Sequence, residues 1–230
     1  MVYQTKGSHV KKVRQLLIDR IDTAIGEMIL IADHDGNLRA IDWADHEIRM
    51  RRLLRLHYGK DGFDLEPADN PSGLSDAIRR YFAGDVNAID RLPVETAGTP
   101  FQREVWRALR DIPVGTTLSY AQIAERIGRP TAVRAVGLAN GSNPVGIVVP
   151  CHRVIGANGS LTGYGGGMER KRWLLDHEGV KVNESRRAGL FERQVGYPEK
   201  YPMASISTRP SEKLGHSNLE MAGPHFKTGS

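Results

Sequence analysis

Cysteine is nearly absent from this 230-residue chain, occurring once, at position 151. A single thiol excludes an internal disulfide and any zinc site built on several cysteines, so Cys151 is either a buried filler or a reactive nucleophile. The eight histidines are scattered without the close spacings of metal ligation, and no metal is expected. Long apolar runs are missing too: none approaches the roughly 20 residues of a membrane span. The early cluster Leu16-Leu17-Ile18 is flanked by Arg14 and Asp19, which leaves no room for the apolar centre of a secretion signal. The expectation is a cytoplasmic protein without membrane contact.

What is present is ordinary for a globular chain, at 40% hydrophobic and 26% charged residues, but the balance is basic, with a formal net charge of +5. Lys and Arg in excess favour a polyanionic partner, because bound phosphates release their counterions.

Three stretches rich in Ile, Leu and Val, at residues 13–21, 27–32 and 37–44, are separated by turn residues and predict an antiparallel meander. Helical spacing over 45–58 and 74–82 predicts two helices covering one face of that sheet. Thr99-Pro100-Phe101-Gln102 reads as a capped helix start, and Ser119-Tyr120-Ala121-Gln122 repeats the pattern. The second of these opens a short helix that Gly128-Arg129-Pro130 stops before another, over about 131–139; helix, turn, helix in a basic protein is a known way to address a DNA groove. The apolar run 145–149 reads as a strand ended by Pro150, with a last helix near 168–177. The fold class expected is α+β, with a small N-terminal α/β domain over 13–95, a C-terminal helical domain over 99–182, and a polar, disordered tail over 183–230.

A thiol attacks as thiolate, and a free one is mostly protonated at neutral pH. Beside Cys151 in sequence, His152 and Arg153 supply an imidazole and a guanidinium to favour the thiolate, and Glu178 is available to orient the histidine. The glycine-rich segment Gly163-Tyr164-Gly165-Gly166-Gly167 lacks the ending of a nucleotide phosphate loop and reads as a loop whose backbone can approach a flat ligand.

Together, TPFQREVW, IPVGTTLSYAQIAERIGRP, AVRAVGLANGSNP, IVVPCHRVIG, TGYGGG and KRWLLDHEG resemble, in order and spacing, the methylated-DNA protein-cysteine methyltransferase family. The likeness is most specific over 99–179 and extends in weaker form over 20–94. It implies a ribonuclease H-like N-terminal domain and a winged-helix-like C-terminal one. It also implies a single-turnover repair reaction on double-stranded DNA, in which O6-alkylguanine is rotated out of the duplex and its alkyl group moves irreversibly to Cys151, with O4-alkylthymine as a further target.

The resemblance makes His152 the acceptor of the Cys151 proton through a water, Glu178 its orienting carboxylate, and Asn143 the tie between recognition helix and nucleophile. Tyr120 would turn the 3′ phosphate and help protonate the leaving guanine. Arg134 would fill the gap left by the base, on a minor-groove helix bearing Thr131, Ala132, Val133 and Ala135, with Val133 bulkier than the alanine often found there. Val154, Tyr164 and Gly165 would line the base pocket, and Gly165, standing where some relatives have serine, suggests a more open pocket that accepts larger adducts. No cofactor is implied, and the protein would act as a monomer, with cooperative binding along DNA. The competing reading is a DNA-binding damage sensor or helix-turn-helix regulator that performs no chemistry.

Overall fold

The computed structural model describes residues 13–181; the expected disordered tail over 183–230 lies outside the described residues. Strands β1 (Arg14–Ile21), β2 (Met28–Ala32) and β3 (Leu38–Trp43) form the antiparallel meander. Asp33 makes the second turn, its Oδ1 accepting from the backbone N–H groups of Asp35 and Asn37. A fourth strand, β4 (Phe63–Pro67), pairs parallel with β1 at the edge, so the sheet order is β3-β2-β1-β4 and the sheet is mixed. Strand β4 carries no clear pattern of its own, because FDLEP has only two large apolar residues and ends in a proline.

Helix α1 (Glu47–Tyr58) packs Met50 and Leu54 onto Leu16, Ile29, Ile31 and Ala40. Helix α2 (Leu74–Phe82) lies on the other face, where Asp19 Oδ2 accepts from Ser75 Oγ and Asn70 N and where Phe82 meets Trp43 edge-on. The two helices therefore sandwich the sheet instead of sharing one face. Helical spacing shows that a stripe is buried, not which side of a sheet buries it, and two-sided burial is why all six residues of β3 are inaccessible.

Beyond a connection whose Pro93 and Glu95 bond to Leu38, α3 (Pro100–Arg110) begins with the full capping box between Thr99 and Gln102. Its buried face carries Val105, Trp106 and Leu109, and Trp106 Nε1 donates to Ala139 O at 2.8 Å. Helix α4 (Tyr120–Arg126) has the second capping box, from Ser119 and Gln122. A six-residue turn then leads to α5 (Val133–Gly141), which starts two residues later than the spacing suggests. Two-residue strands β5 (Leu118–Ser119) and β6 (Val154–Ile155) pair in parallel beside this unit, and α6 (Met168–His177) closes the chain against α2 through Phe82, Trp173 and His177.

The run 145–149 is not a strand. Val145 makes one bridge to Ile41, and the chain then turns, with Ile147 at φ +67°. Apolar composition there reports burial, and burial is satisfied by a turn pressed against β3: Ile41 N donates to Pro144 O at 2.9 Å and Gly146 N to Ile41 O at 3.1 Å. A β-branched residue in the left-handed region is strained, and surrounding contacts must hold it there.

Candidate active site

The turn over 145–149 delivers Pro150 and a single 3₁₀ turn, Cys151–Arg153, to the junction of the two halves. Asn143 sets its position. Buried just beyond α5, its side chain donates to Val149 O at 2.8 Å and accepts from Val145 N at 3.0 Å, and it hydrogen-bonds the Cys151 thiol.

Cys151 is 7% exposed, at the base of a cavity walled by Asn143, Tyr164, Gly165, Trp43 and Arg49. Burial raises the thiol above its ordinary value, while the Asn143 hydrogen bond and the charges of Arg49 and Lys171 oppose the rise. The resting side chain is therefore a thiol, and a base must take its proton.

His152 is fully buried, with Nε2 2.9 Å from Glu178 Oε1. A carboxylate can only accept, so Nε2 carries the hydrogen and Nδ1 keeps its lone pair. Nδ1 has no hydrogen-bond partner among the described residues. Burial lowers the His152 pKa against the pull of Glu178, which favours the neutral, basic ring. Glu178, just past α6, is desolvated, yet His152 and Arg153 together hold its carboxyl well below the usual carboxylate range.

Arg153 does not serve the thiol as its sequence position suggests. It donates Nε to Glu178 Oε2 at 2.8 Å, Nη2 to Glu178 Oε1 at 2.9 Å and Nη1 to Ile112 O at 2.6 Å. Side chains two apart on a 3₁₀ turn point in different directions, so the guanidinium organises Glu178 while more distant cations face the sulfur.

Those cations were not found from sequence. Lys171 of α6 is buried, its Nζ donating to Val154 O at 2.6 Å and Thr162 O at 2.9 Å, and burial lowers its pKa to about 8. Arg49 of α1 pairs with buried Asp42 and donates to Gly141 O at 2.9 Å and Asn143 O at 3.2 Å. Neither stands out in the sequence; the only signal is that Lys171 falls three residues before the buried Leu174 on the same helical face.

The loop over 163–167 covers the cavity. Tyr164 hydrogen-bonds Trp43 and stands edge-on to His152 at 6.4 Å, and burial with the nearby Cys151 and Asp42 raises its hydroxyl well above the ordinary value. A Cβ on Gly166 would sit 2.2 Å from Trp43 Nε1, so only glycine allows this approach. The expected openness beside Gly165 is absent: Arg49 fills the space, 2.8 Å from where a Cβ would stand. Val154 is buried on β6 and does not line the cavity; its carbonyl holds Lys171 instead.

On the outer face of α5 and the turn before it, Thr131, Arg134 and Ala135 are exposed, Ala132 and Val133 are half-buried, and Arg134 has no hydrogen bond or ion pair among the described residues. Leu138, overlooked in the sequence, is 77% exposed on the same face. Tyr120 packs its ring near Gly137, and its hydroxyl accepts from Thr162 Oγ1 at 3.1 Å. No helix among the described residues is long and apolar enough to cross a membrane, and no group of side chains there could hold a metal ion.

The 6-O-methylguanine DNA methyltransferase ribonuclease-like domain matches residues 17–96, and the DNA binding domain of the same family matches 100–180. The methylated-DNA–protein-cysteine methyltransferase of Shigella flexneri is 56% identical over 165 residues, covering 72% of this chain and 96% of that one; the Salmonella typhimurium protein is 54% identical with the same coverage. Mycobacterium tuberculosis OGT, solved in complex with DNA, superposes with a TM-score of 0.57 at 42% identity, over 71% of this chain and 92% of that chain. With a lone cysteine beside a buried Glu-His pair, and both family domains matched in order, the chain belongs to the methylated-DNA–protein-cysteine methyltransferase family.

Proposed function

We propose that this protein repairs DNA by direct reversal, taking the alkyl group from O6 of guanine, and from O4 of thymine, onto Cys151 Sγ in a single irreversible turnover. The observation that carries this reading is the buried Glu178-His152 pair, with an unpartnered Nδ1, next in sequence to a neutral thiol that lines a cavity.

The proton of Cys151 passes through a bridging water to His152 Nδ1, and Glu178 stabilises the imidazolium that forms. Sulfur attacks the alkyl carbon as the carbon–O6 bond breaks, and the electron pair stays on the base. Tyr120 supplies a hydroxyl proton to the leaving guanine, which is restored. Lys171 and Arg49 face the sulfur while its charge develops. A thioether offers water no acyl carbon, and no second thiol exists in the chain to remove the alkyl group, so each molecule reacts once.

The partner is double-stranded DNA carrying O6-alkylguanine, bound without a cofactor through the minor groove along α5. Thr131, Ala132, Val133 and Ala135 allow close approach, Arg134 stacks in the place of the flipped base, and exposed Leu138 adds apolar contact. Tyr164 and Gly165 border the base, with Val154 supporting that wall through Lys171. We assign 13–95 and 99–182 as the two domains, and a cytoplasmic monomer that binds DNA cooperatively as the working state.

Intact-protein mass after incubation with excess duplex carrying one O6-methylguanine tests the reading, with Cys151→Ser in parallel. The expected result is a gain of one methyl group per molecule that saturates and is absent from the variant. DNA binding without any mass change would replace repair with damage sensing.

A further inference from the structure

The Glu178 carboxylate carries more donors than orienting a histidine requires. Oε1 accepts from His152 Nε2 at 2.9 Å, from Arg153 Nη2 at 2.9 Å and from Tyr81 Oη at 2.8 Å; Oε2 accepts from Arg153 Nε at 2.8 Å. Three of these four bonds come from the nucleophile segment itself. The fourth comes from α2, in the other half of the molecule.

Tyr81 is fully buried and held on several sides: its ring lies edge-on to Phe82 at 5.3 Å and to His177 at 5.1 Å, and its carbonyl accepts from His177 Nε2 at 2.7 Å. Its hydroxyl has one proton to give, and the carboxylate, which only accepts, is where it goes. Burial and the Glu178 charge keep the phenol protonated far above neutral pH.

We propose that Tyr81 is a positioning residue for alkyl transfer, acting through Glu178 to keep His152 neutral and aimed at the nucleophile. The proposal rests on the repair reading above. A general base must be unprotonated when substrate binds, yet a buried carboxylate 2.9 Å away draws a proton onto the imidazole. Three groups temper that pull. Arg153 and Lys171 act by their charge on His152, and Tyr81 acts by occupying the same oxygen that His152 uses. Tyr164 faces the ring edge-on and stays neutral, and on the nucleophile side Cys151 is faced by Arg49, Lys171 and Asp42. Of all these, Tyr81 alone shares Oε1 without carrying charge, so removing its hydroxyl changes the basicity of Glu178 and leaves every formal charge in place. The N-terminal half thereby contributes to the chemistry and does not merely cover the sheet side of the site.

The test is single-turnover methyl transfer from an O6-methylguanine duplex, followed from pH 5 to 9, in the wild type and Tyr81→Phe, with Cys151→Ser as the unreactive control. Phenylalanine keeps the ring contacts. The His152 titration is read separately by NMR of the imidazole nitrogens, which requires no turnover. The variant is expected to move the acid limb of the rate profile, and the His152 midpoint, upward by about one unit, which is about tenfold in rate on that limb. Superimposable profiles and midpoints, with only a lower melting temperature, would make Tyr81 a packing residue and overturn the proposal. Transfer absent from the wild type would instead remove the repair reading on which it rests.

Discussion

Arg49 and Gly165 claim one volume on the wall of the Cys151 cavity, since a Cβ at 165 would stand 2.8 Å from Arg49 Cζ and 2.9 Å from Nη2. An arginine from α1, as well as the glycine of the covering loop, therefore bounds this side of the cavity. Arg49→Ala is expected to raise transfer from O6-benzylguanine several-fold relative to O6-methylguanine. It should also lower the melting temperature, because Asp42 is left buried without its partner. Gly165→Ser should displace the guanidinium from Gly141 O and Asn143 O and lower the melting temperature. An unchanged benzyl-to-methyl ratio in Arg49→Ala contradicts the assignment.

Glu178→Ala leaves the Arg153 guanidinium buried and uncompensated. Breaking such a pair costs roughly 3–5 kcal/mol, which for a fold of this size is a fall in melting temperature on the order of 10 °C. Calorimetry on the variant checks the magnitude. A loss below 1 kcal/mol would mean that Arg153 finds another partner.

Two buried groups set the acid sensitivity in separate windows. His152 is held below its ordinary value, so the unfolded chain takes up that proton first, from about pH 6.5 downward, and stability falls as pH drops through this range. Glu178 is held below its ordinary value too; its contribution is complete above about pH 4.3 and is lost only as pH falls further, through its folded value. Urea midpoints at pH 7, 5.5 and 4 are expected to decline in that order. His152→Gln should flatten the first step and spare the second.

Lys171 titrates near pH 8 in the folded protein. Its ammonium is then lost where a model lysine would retain it, and with it one of the charges that favours the Cys151 thiolate. Transfer should decline above pH 8, and Lys171→Met should give a lower rate with no decline. The linkage has the opposite sign for folding: the buried ammonium is a cost below pH 8 that is relieved as pH rises toward the unfolded value. Rate profiles that decline identically in both proteins would assign the basic limb elsewhere.

Gly166→Ala would place a methyl 2.2 Å from Trp43 Nε1 and 2.8 Å from Tyr164 Cε1. The covering loop must move, at about 1–3 kcal/mol for an overpacked contact. Transfer should slow while affinity for undamaged duplex, which the proposed reading assigns to the outer face of α5, stays the same. A parallel loss of DNA affinity would show that the loop also shapes the duplex contact.

Much of this was legible in the residues. The capping boxes at Thr99 and Ser119 mark where α3 and α4 begin, because they satisfy orphan backbone groups by local rules that need no partner. Cys151, His152 and Glu178 stood out through family motifs, and in the structure His152 Nε2 lies 2.9 Å from Glu178 Oε1, with Cys151 buried one residue before the histidine. What stayed hidden depends on distant partners. Tyr81 lies 97 residues from Glu178, and Arg49 lies 92 from Gly141, so no local pattern reveals either contact. The run over 145–149 misled for a related reason: its valines and isoleucine favour strands, but a proline, a left-handed isoleucine and the waiting edge of β3 decide otherwise.

That edge has a consequence for how the molecule is made. Strand β3 leaves the ribosome more than a hundred residues before the turn whose Pro144 and Gly146 it binds, and N-terminal units fold first during synthesis. The nucleophile segment therefore docks onto a template that already exists, while Glu178 arrives only with the end of α6. A nascent chain arrested between Cys151 and α6 would carry its thiol on an ordered sheet with the base still unaimed, so the nucleophile is made before the carboxylate that orients its base.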